Sequence, residues 1–203
     1  MKLRYSPTSP YVRKVAVTAT EAGLDNCIER IETNVWDPAT DIAEDNPLGK
    51  VPALTAEDGT VLCDSPLICE YLDSLNQGQK LIPAEGPARW QVLNLEALGD
   101  GIMDSAVAQV IENRMRPEEA RWAGWIERQK GKIGRALDAL EAKAAGSGLD
   151  GPVTLGSIAV GCALGYLDLR FPEDDWRAGH PKLAAWYEGF SQRPSMQASE
   201  PPS

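Results

Sequence analysis

Strand-like and helix-like stretches alternate through the first 80 residues, and after a Gly/Pro-rich break no strand pattern returns. That switch excludes an all-β sandwich, an all-helical bundle and a continuous β-α repeat, each of which keeps one pattern throughout. Lys2–Tyr5 reads as a short opening strand. From Ser9-Pro10 onward, Val12, Val15, Ala16, Ala19 and Ala22 recur at helical spacing, and Gly23 closes the pattern. Pro10 stands in the first turn, where its missing N–H costs no hydrogen bond. Residues 28–32 alternate apolar and charged side chains as a second strand. Residues 36–49 form a polar loop with at most one helical turn. Residues 51–55 and 60–62 are strands joined at Asp58-Gly59, a tight hairpin turn. Asp64-Ser65-Pro66 then opens a helix through Leu67, Ile68, Tyr71, Leu72 and Leu75. The helical crossover predicts a parallel strand pair, and the hairpin predicts an antiparallel one.

Residues 76–87 hold two glycines and two prolines and read as a linker. Residues 88–115 carry a helical pattern interrupted at Gly99 and Gly101. Another helix is predicted to start at Arg116-Pro117, with Trp122, Trp125, Ile126, Ile133, Leu137 and Leu140 on one face. Residues 154–166 are apolar nearly all round, as in a central helix. Residues 181–192 form the last clear helix, and the tail 198–203 is expected to fray. The expected organisation is an α+β domain over 1–78 with a mixed four-stranded sheet, a linker over 79–87, and an all-α domain over 88–203.

A chain of 203 residues buries a sizeable core without staples. Its 20 Lys and Arg against 30 Asp and Glu give a net charge of −10, with both halves acidic. That balance argues against nucleic acid or an anionic membrane as partner, since both need a concentrated basic face. No apolar run approaches the ~18 residues of a membrane span, and the first residues lack a signal peptide's apolar stretch. A cytoplasmic protein is expected. Cys27, Cys63, Cys69 and Cys162 form no C-x-x-C pair and read as free thiols. With His180 the only histidine, no zinc site and no other metal is expected, and Glu173-Asp174-Asp175 reads as solvated loop acids.

Three motifs can carry chemistry. Thr8-Ser9-Pro10 puts Ser9 where a strand ends and a helix begins, beside free N–H groups and the positive end of the helix dipole. A thiolate is stabilised at such a place, and a hydroxyl can add a charge-assisted hydrogen bond. The commonest role of such a serine is only to cap the helix. The second motif, Asn46-Pro47-Leu48-Gly49-Lys50-Val51-Pro52-Ala53-Leu54, leads a loop into a strand, and its Val-Pro alone is no more than a strand start. The third, Asp64-Ser65-Pro66-Leu67-Ile68-Cys69-Glu70-Tyr71-Leu72, joins an acid, a hydroxyl and a helix N-terminus, a set matching both charges of an amino-acid group.

With these motifs the chain resembles the glutathione S-transferase superfamily over essentially its whole length. Its start, Ser6-Pro7-Thr8-Ser9-Pro10-Tyr11-Val12-Arg13-Lys14, looks most like the small bacterial branch called YibF-like. The resemblance implies a thioredoxin-like N-terminal domain, a helical C-terminal domain and a homodimer. It implies glutathione as co-substrate, bound through Ser9, Lys50, Val51, Pro52, Asp64 and Ser65, with Ser9 catalytic. In serine-type members the catalytic serine lies fourteen residues before the glycine that ends the helix, as Ser9 does before Gly23; Thr8 and Ser6 are the alternatives. In the family Pro52 would be cis, Val51 would pair with the cysteinyl backbone, Lys50 would lie near the glycine carboxylate, and Asp64 would take the γ-glutamyl ammonium. The implied activity is attack of the activated thiol on a small hydrophobic or electrophilic molecule, as in detoxification. The absence of cysteine beside Pro10 disfavours mixed-disulfide chemistry. Two other readings are a glutathione-dependent isomerase like the zeta-type relatives, from which Pro7 and Thr8 depart, and a non-catalytic interaction protein of the same fold.

Met103, Arg114 and Trp36 are candidates for a co-substrate pocket, although core or surface packing is the commoner role for each. Arg13 is a candidate for charge near the thiolate or for a pair across a dimer. Trp122, Trp125, Cys63 and Cys69 read as packing residues, and His180 as the end of a loop. Thr154 stands where the family has a capping box, but Ser157 replaces the acid, so a helix start weaker by ~1 kcal/mol is expected.

Overall fold

The computed structural model describes residues 1–146 and 148–202. Their contacts divide into two units, residues 1–92 with 194–202, and residues 93–193. The first unit contains β1 (Lys2–Tyr5), α1 (Pro10–Glu21), β2 (Glu29–Glu32), α2 (Ile42–Asp45), β3 (Ala53–Thr55), β4 (Val61–Leu62) and α3 (Ser65–Leu75). The sheet order is β2-β1-β3-β4. β1 and β2 run parallel with Leu3 opposite Arg30, as the helical crossover requires. β3 runs antiparallel to β1, and β4 antiparallel to β3. The mixed four-stranded sheet expected from the sequence is therefore present.

The core of this unit follows from the sequence period. Leu3 and Leu54 are buried in the sheet at 1% and 0% exposure, and Val15, Val17, Ile68 and Leu72 are buried on α1 and α3, which pack on each other, α3 also against β3. α1 stops where predicted: Gly23 takes φ +71°, and the N–H of Leu24 reaches back to the carbonyl of Ala19 at 2.8 Å. That left-handed turn is open to glycine without strain.

The Gly/Pro-rich stretch after α3 is fastened rather than slack. The buried Asp73 carboxylate accepts the N–H groups of Leu81 (2.8 Å) and Ile82 (3.1 Å). Lys80 Nζ donates to the carbonyls of Asp73 and Asn76, both at 2.7 Å, where the end of α3 is electronegative. Beyond it begins α4 (Gly86–Arg114), which continues into the second unit. A further element escapes the sequence pattern: α8 (Pro194–Ala198) returns to the first unit and packs on α1. Arg13 Nη2 donates to the carbonyl of Met196 at 3.1 Å, and the Ser195 hydroxyl donates to Glu21. Five residues are too few for a helical period to show in sequence.

The second unit holds the rest of α4 with α5 (Ala123–Ala145), α6 (Leu155–Arg170) and α7 (Pro181–Ser191). α6 is buried from Leu155 through Leu167, as its apolar composition predicts. Three expectations are corrected. α4 runs unbroken through Gly99, where a Cβ would stand 2.6 Å from the carbonyl carbon of Ala159. Gly99 thus marks a close helix crossing, not a break. α5 begins at Ala123 rather than Arg116, because the Glu112 carboxylate takes the N–H of Trp122 (2.8 Å) and Nε of Arg116 (2.9 Å) and holds the intervening chain in a turn. The box opening α6 closes in spite of its serine: Thr154 N–H donates to Ser157 Oγ at 2.9 Å, and Ser157 N–H donates to Thr154 Oγ1 at 3.2 Å. The serine hydroxyl accepts where a carboxylate would, so the start is not left open. Among the described residues no helix is long and apolar enough to cross a membrane.

Candidate functional site

The strand registers bring all three motifs to one end of the sheet. Ala53 opens β3 opposite Arg4 near the end of β1, and Leu62 closes β4 opposite Leu54. Residues 6–9 leave β1, residues 50–52 enter β3 and residues 63–65 leave β4 at that same end. Two antiparallel pairings suffice for this convergence.

Ser9 is the N-cap of α1, with φ −78° and ψ 123°. Its Oγ accepts the N–H of Val12 over a long 3.4 Å, and Pro10 occupies the first turn. A hydroxyl carries one donor and two acceptor lone pairs. The cap uses one acceptor, and among the described residues the O–H donor has no partner. Capping and donation to a thiolate are therefore compatible. Ser6 and Thr8 are half-buried like Ser9, but neither caps the helix; the carbonyl of Ser6 accepts the N–H of Ser9 at 3.1 Å.

The loop of the second motif is shaped by Asn46, which sequence reasoning passed over. Asn46 is 1% exposed. Its Oδ1 accepts the N–H of Leu48 at 3.0 Å, and its Nδ2 donates to the carbonyl of Lys50 at 2.8 Å. Gly49 completes the turn at φ +64°. An asparagine before proline is a local turn signal that could have revealed this clamp. The Val51-Pro52 bond is cis, and among the described residues the N–H and C=O of Val51 make no hydrogen bond. Lys50 is exposed and meets no carboxylate among the described residues.

The third motif opens α3. Asp64 is the N-cap by position, but its side chain makes no capping hydrogen bond and is exposed. The first N–H groups of the helix, on Ser65 and Leu67, have no acceptor within the helix itself. Ser65 is 2% exposed, and its hydroxyl has no partner among the described residues. The peptide bond before Asp64 is cis. An exposed carboxylate beside an open helix end can take a cation and an anion side by side.

Arg4, also missed, stands at the same sheet end but is engaged within the unit. Its Nε lies 2.6 Å from Asp45, and Nη1 and Nη2 lie 2.9 and 3.0 Å from the two oxygens of Asp41. This fork ties α2 to β1, and it holds the Asp41 carboxyl below its ordinary pKa.

Trp36 is 59% exposed in the first unit, Met103 is fully buried in the second, and Arg114 is exposed at the end of α4. Arg13 turns its fork to α8. His180 bridges the carbonyl of Trp176 (2.6 Å) and Asp138 (3.3 Å). Asp174 lies 3.6 Å from Lys130, and Asp175 accepts the N–H of Arg177.

Comparison with known proteins supplies the context. The glutathione S-transferase N-terminal domain model matches residues 8–75, and the C-terminal domain model matches residues 123–189. The uncharacterized GST-like protein YibF of Escherichia coli (strain K12) is 37% identical, with 100% of this chain and 99% of that protein aligned. A glutathione transferase family member from Pseudomonas fluorescens Pf-5, solved with bound glutathione, is 46% identical at a TM-score of 0.95, covering 100% and 99% of the two chains. The same protein with bound S-(propanoic acid)-glutathione superposes at 0.92, covering 100% of both.

Proposed function

Because the chain belongs to the glutathione S-transferase family, we propose that it binds glutathione through residues 1–78, activates its thiol and transfers it to a small electrophile. The observation that carries this reading is the convergence, at one sheet end, of a capped helix start with a spare hydroxyl donor, a loop that leaves the Val51 backbone unpaired among the described residues, and an open helix start beside a carboxylate. These groups complement glutathione part by part. The γ-glutamyl carboxylate takes the N–H groups of Ser65 and Leu67 and the Ser65 hydroxyl, while Asp64 takes the neighbouring ammonium. Val51 offers its free N–H and C=O to the cysteinyl backbone as an added strand does, held by the turn at Pro52. Lys50 faces the glycine carboxylate. The thiol then lies at the N-terminus of α1, where the dipole and the Ser9 O–H favour the thiolate over the thiol. The thiolate forms a bond to an electrophilic carbon, and displacement of a leaving group or opening of a double bond completes the transfer.

The bound glutathione of the Pseudomonas fluorescens relative supports the binding half of this reading, and its S-(propanoic acid)-glutathione supports a carbon substituent on the sulfur. The reading extends to a cytoplasmic homodimer acting in detoxification, with the helical part, 88–203, joined through 79–87. Four free cysteines suit a reducing compartment, and Leu67 and Trp90, exposed at 47% and 67%, suit an apolar contact between copies. Light scattering tests the dimer.

Calorimetry with glutathione, wild type against Asp64→Ala, tests the site. Binding in the wild type that weakens sharply in the variant is the expected result. Absence of binding in the wild type would replace the transferase reading with that of a non-catalytic interaction protein.

A further inference from the structure

Gly134 stands in the middle of α5, although glycine is among the residues least favourable to a helix. A glycine inside a helix commonly admits a neighbouring backbone, as Gly99 admits Ala159. At Gly134 nothing approaches. Beyond its chain neighbours and the backbone of its own helix, a Cβ placed there would meet no atom within 4 Å. The glycine keeps a space open instead of making a contact.

That space belongs to a cavity of about 310 Å³. Ile133 and Leu137 of α5, Leu167 of α6 and Trp176 shortly after it are buried in its walls, and Phe171 joins them. All the lining residues fall between positions 109 and 176, inside the second unit, and none comes from the three motifs of the first. Apolar walls of this kind take apolar guests, and the volume stands at the lower end of small-molecule sites.

One lining side chain adds a polar group that is not used up. Gln109 of α4 is 2% exposed. Its Nε2 donates to the carbonyl of Ser105 over a long 3.4 Å, and among the described residues its Oε1 accepts nothing. An acceptor so buried is unfavourable until a donor reaches it. The other polar lining groups are engaged. Asp174 lies 3.6 Å from Lys130, Asp175 accepts the N–H of Arg177, and the Trp176 indole N–H donates to Asp168 at 2.9 Å. The cavity thus combines apolar and aromatic walls with one open acceptor, and its charged lining residues each have a partner. An ion entering it would find no free counter-charge, whereas a neutral ring loses little on burial.

We propose that this cavity is a binding site for a small neutral aromatic molecule carrying one N–H or O–H donor, with the donor on Gln109 Oε1 and the ring against Ile133, Leu137, Leu167 and Phe171. The site lies wholly within the helical unit, takes no part in thiol chemistry and needs nothing of the transferase reading. Gly134 is its notch: any larger residue there occupies the room the ring requires.

Calorimetric titration of the full chain with indole and with 1-methylindole tests this. Indole is expected to bind the wild type about fivefold more tightly than 1-methylindole, the effect of one neutral hydrogen bond. Gln109→Met keeps the bulk without the acceptor and is expected to erase that preference. Gly134→Leu fills the notch and is expected to weaken both compounds by about tenfold or more. Its melting temperature should be no lower than the wild type's, because leucine favours the helix where glycine does not. Gly134→Ala fills less and should weaken binding less; with Gln109→Met it serves if the leucine variant fails to fold. In turnover of 1-chloro-2,4-dinitrobenzene with glutathione, Gly134→Leu is expected to keep the wild-type KM for the electrophile. No indole binding in the wild type, or equal indole binding by the wild type and a folded Gly134→Leu, overturns the site. A preference for indole that survives Gln109→Met overturns the role of the amide. A raised KM for the electrophile in Gly134→Leu makes the cavity part of the reaction's own pocket and overturns a separate site.

Discussion

The starts of α3 and α6 are built from similar residues and end up chemically opposite. Each has a small oxygen-bearing side chain at the cap and a serine within the next three positions. At α6 the two hydroxyls close on the backbone, Thr154 on Ser157 N–H and Ser157 on Thr154 N–H, so the helix satisfies its own first donors. At α3 the Asp64 carboxylate makes no cap bond, and the Ser65 hydroxyl has no partner among the described residues. A cap that closes stabilises the fold; a start left open leaves donors and charge for a ligand. α1 lies between them, because Ser9 accepts one bond from its helix and keeps its donor.

The sharpest way to break this contrast is at α3. Asp64→Ala is expected to lower glutathione affinity by about 10- to 100-fold, the range for losing a hydrogen bond to a charged group. The same change should leave the melting temperature nearly untouched, since the side chain caps nothing. Calorimetry beside a thermal melt reads both. A large stability loss with intact affinity would make Asp64 a structural cap and remove the contrast.

Ser9→Ala should move both quantities. The thiol of bound glutathione is expected to rise by about one pKa unit, followed through the ultraviolet absorbance of the thiolate against pH. Stability should fall by only about 0.5 kcal/mol, the low end for a cap, because the bond is long. At α6 the pattern inverts: Thr154→Ala is expected to cost about 1 kcal/mol in denaturant unfolding with glutathione affinity unchanged.

What was legible in the sequence was what its local chemistry decides. Pro10, Gly23, Asp58-Gly59 and the Asp64-Ser65-Pro66 start set their turns and helix ends within a few residues, so the strand order and the three motifs could be read directly. What failed depends on distant partners. Gly99 looks like a helix break until Ala159 is found against its backbone. The start of α5 is displaced by a carboxylate on the preceding helix. Within the site, Ser9, Val51-Pro52 and Asp64-Ser65 were readable as motifs, but not that Ser9 keeps its donor or that Asp64 declines to cap. Arg4 looked like one more strand residue, and only α2 reveals its engagement.

Arg4 gives the smallest and most specific test, because it lies at the open end of the sheet yet is a closed pair. Donation from Arg4, the largest effect, depresses the folded-state pKa of Asp41 below its ordinary 3.8, against a weaker upward push from desolvation. The folded protein therefore binds fewer protons here than the unfolded chain at acidic pH. The stabilisation is present in full above the unfolded value and is lost as pH falls through the folded one. The wild type should melt slightly higher than Arg4→Gln at pH 6, and the gap should close as the pH drops below about 3.8. Asp41 is exposed, so the gap is small and should shrink in high salt as well. A gap that persists unchanged at low pH would mean that Arg4 acts by packing against α2, and that the closed charge pair contributes nothing to holding that loop beside the site.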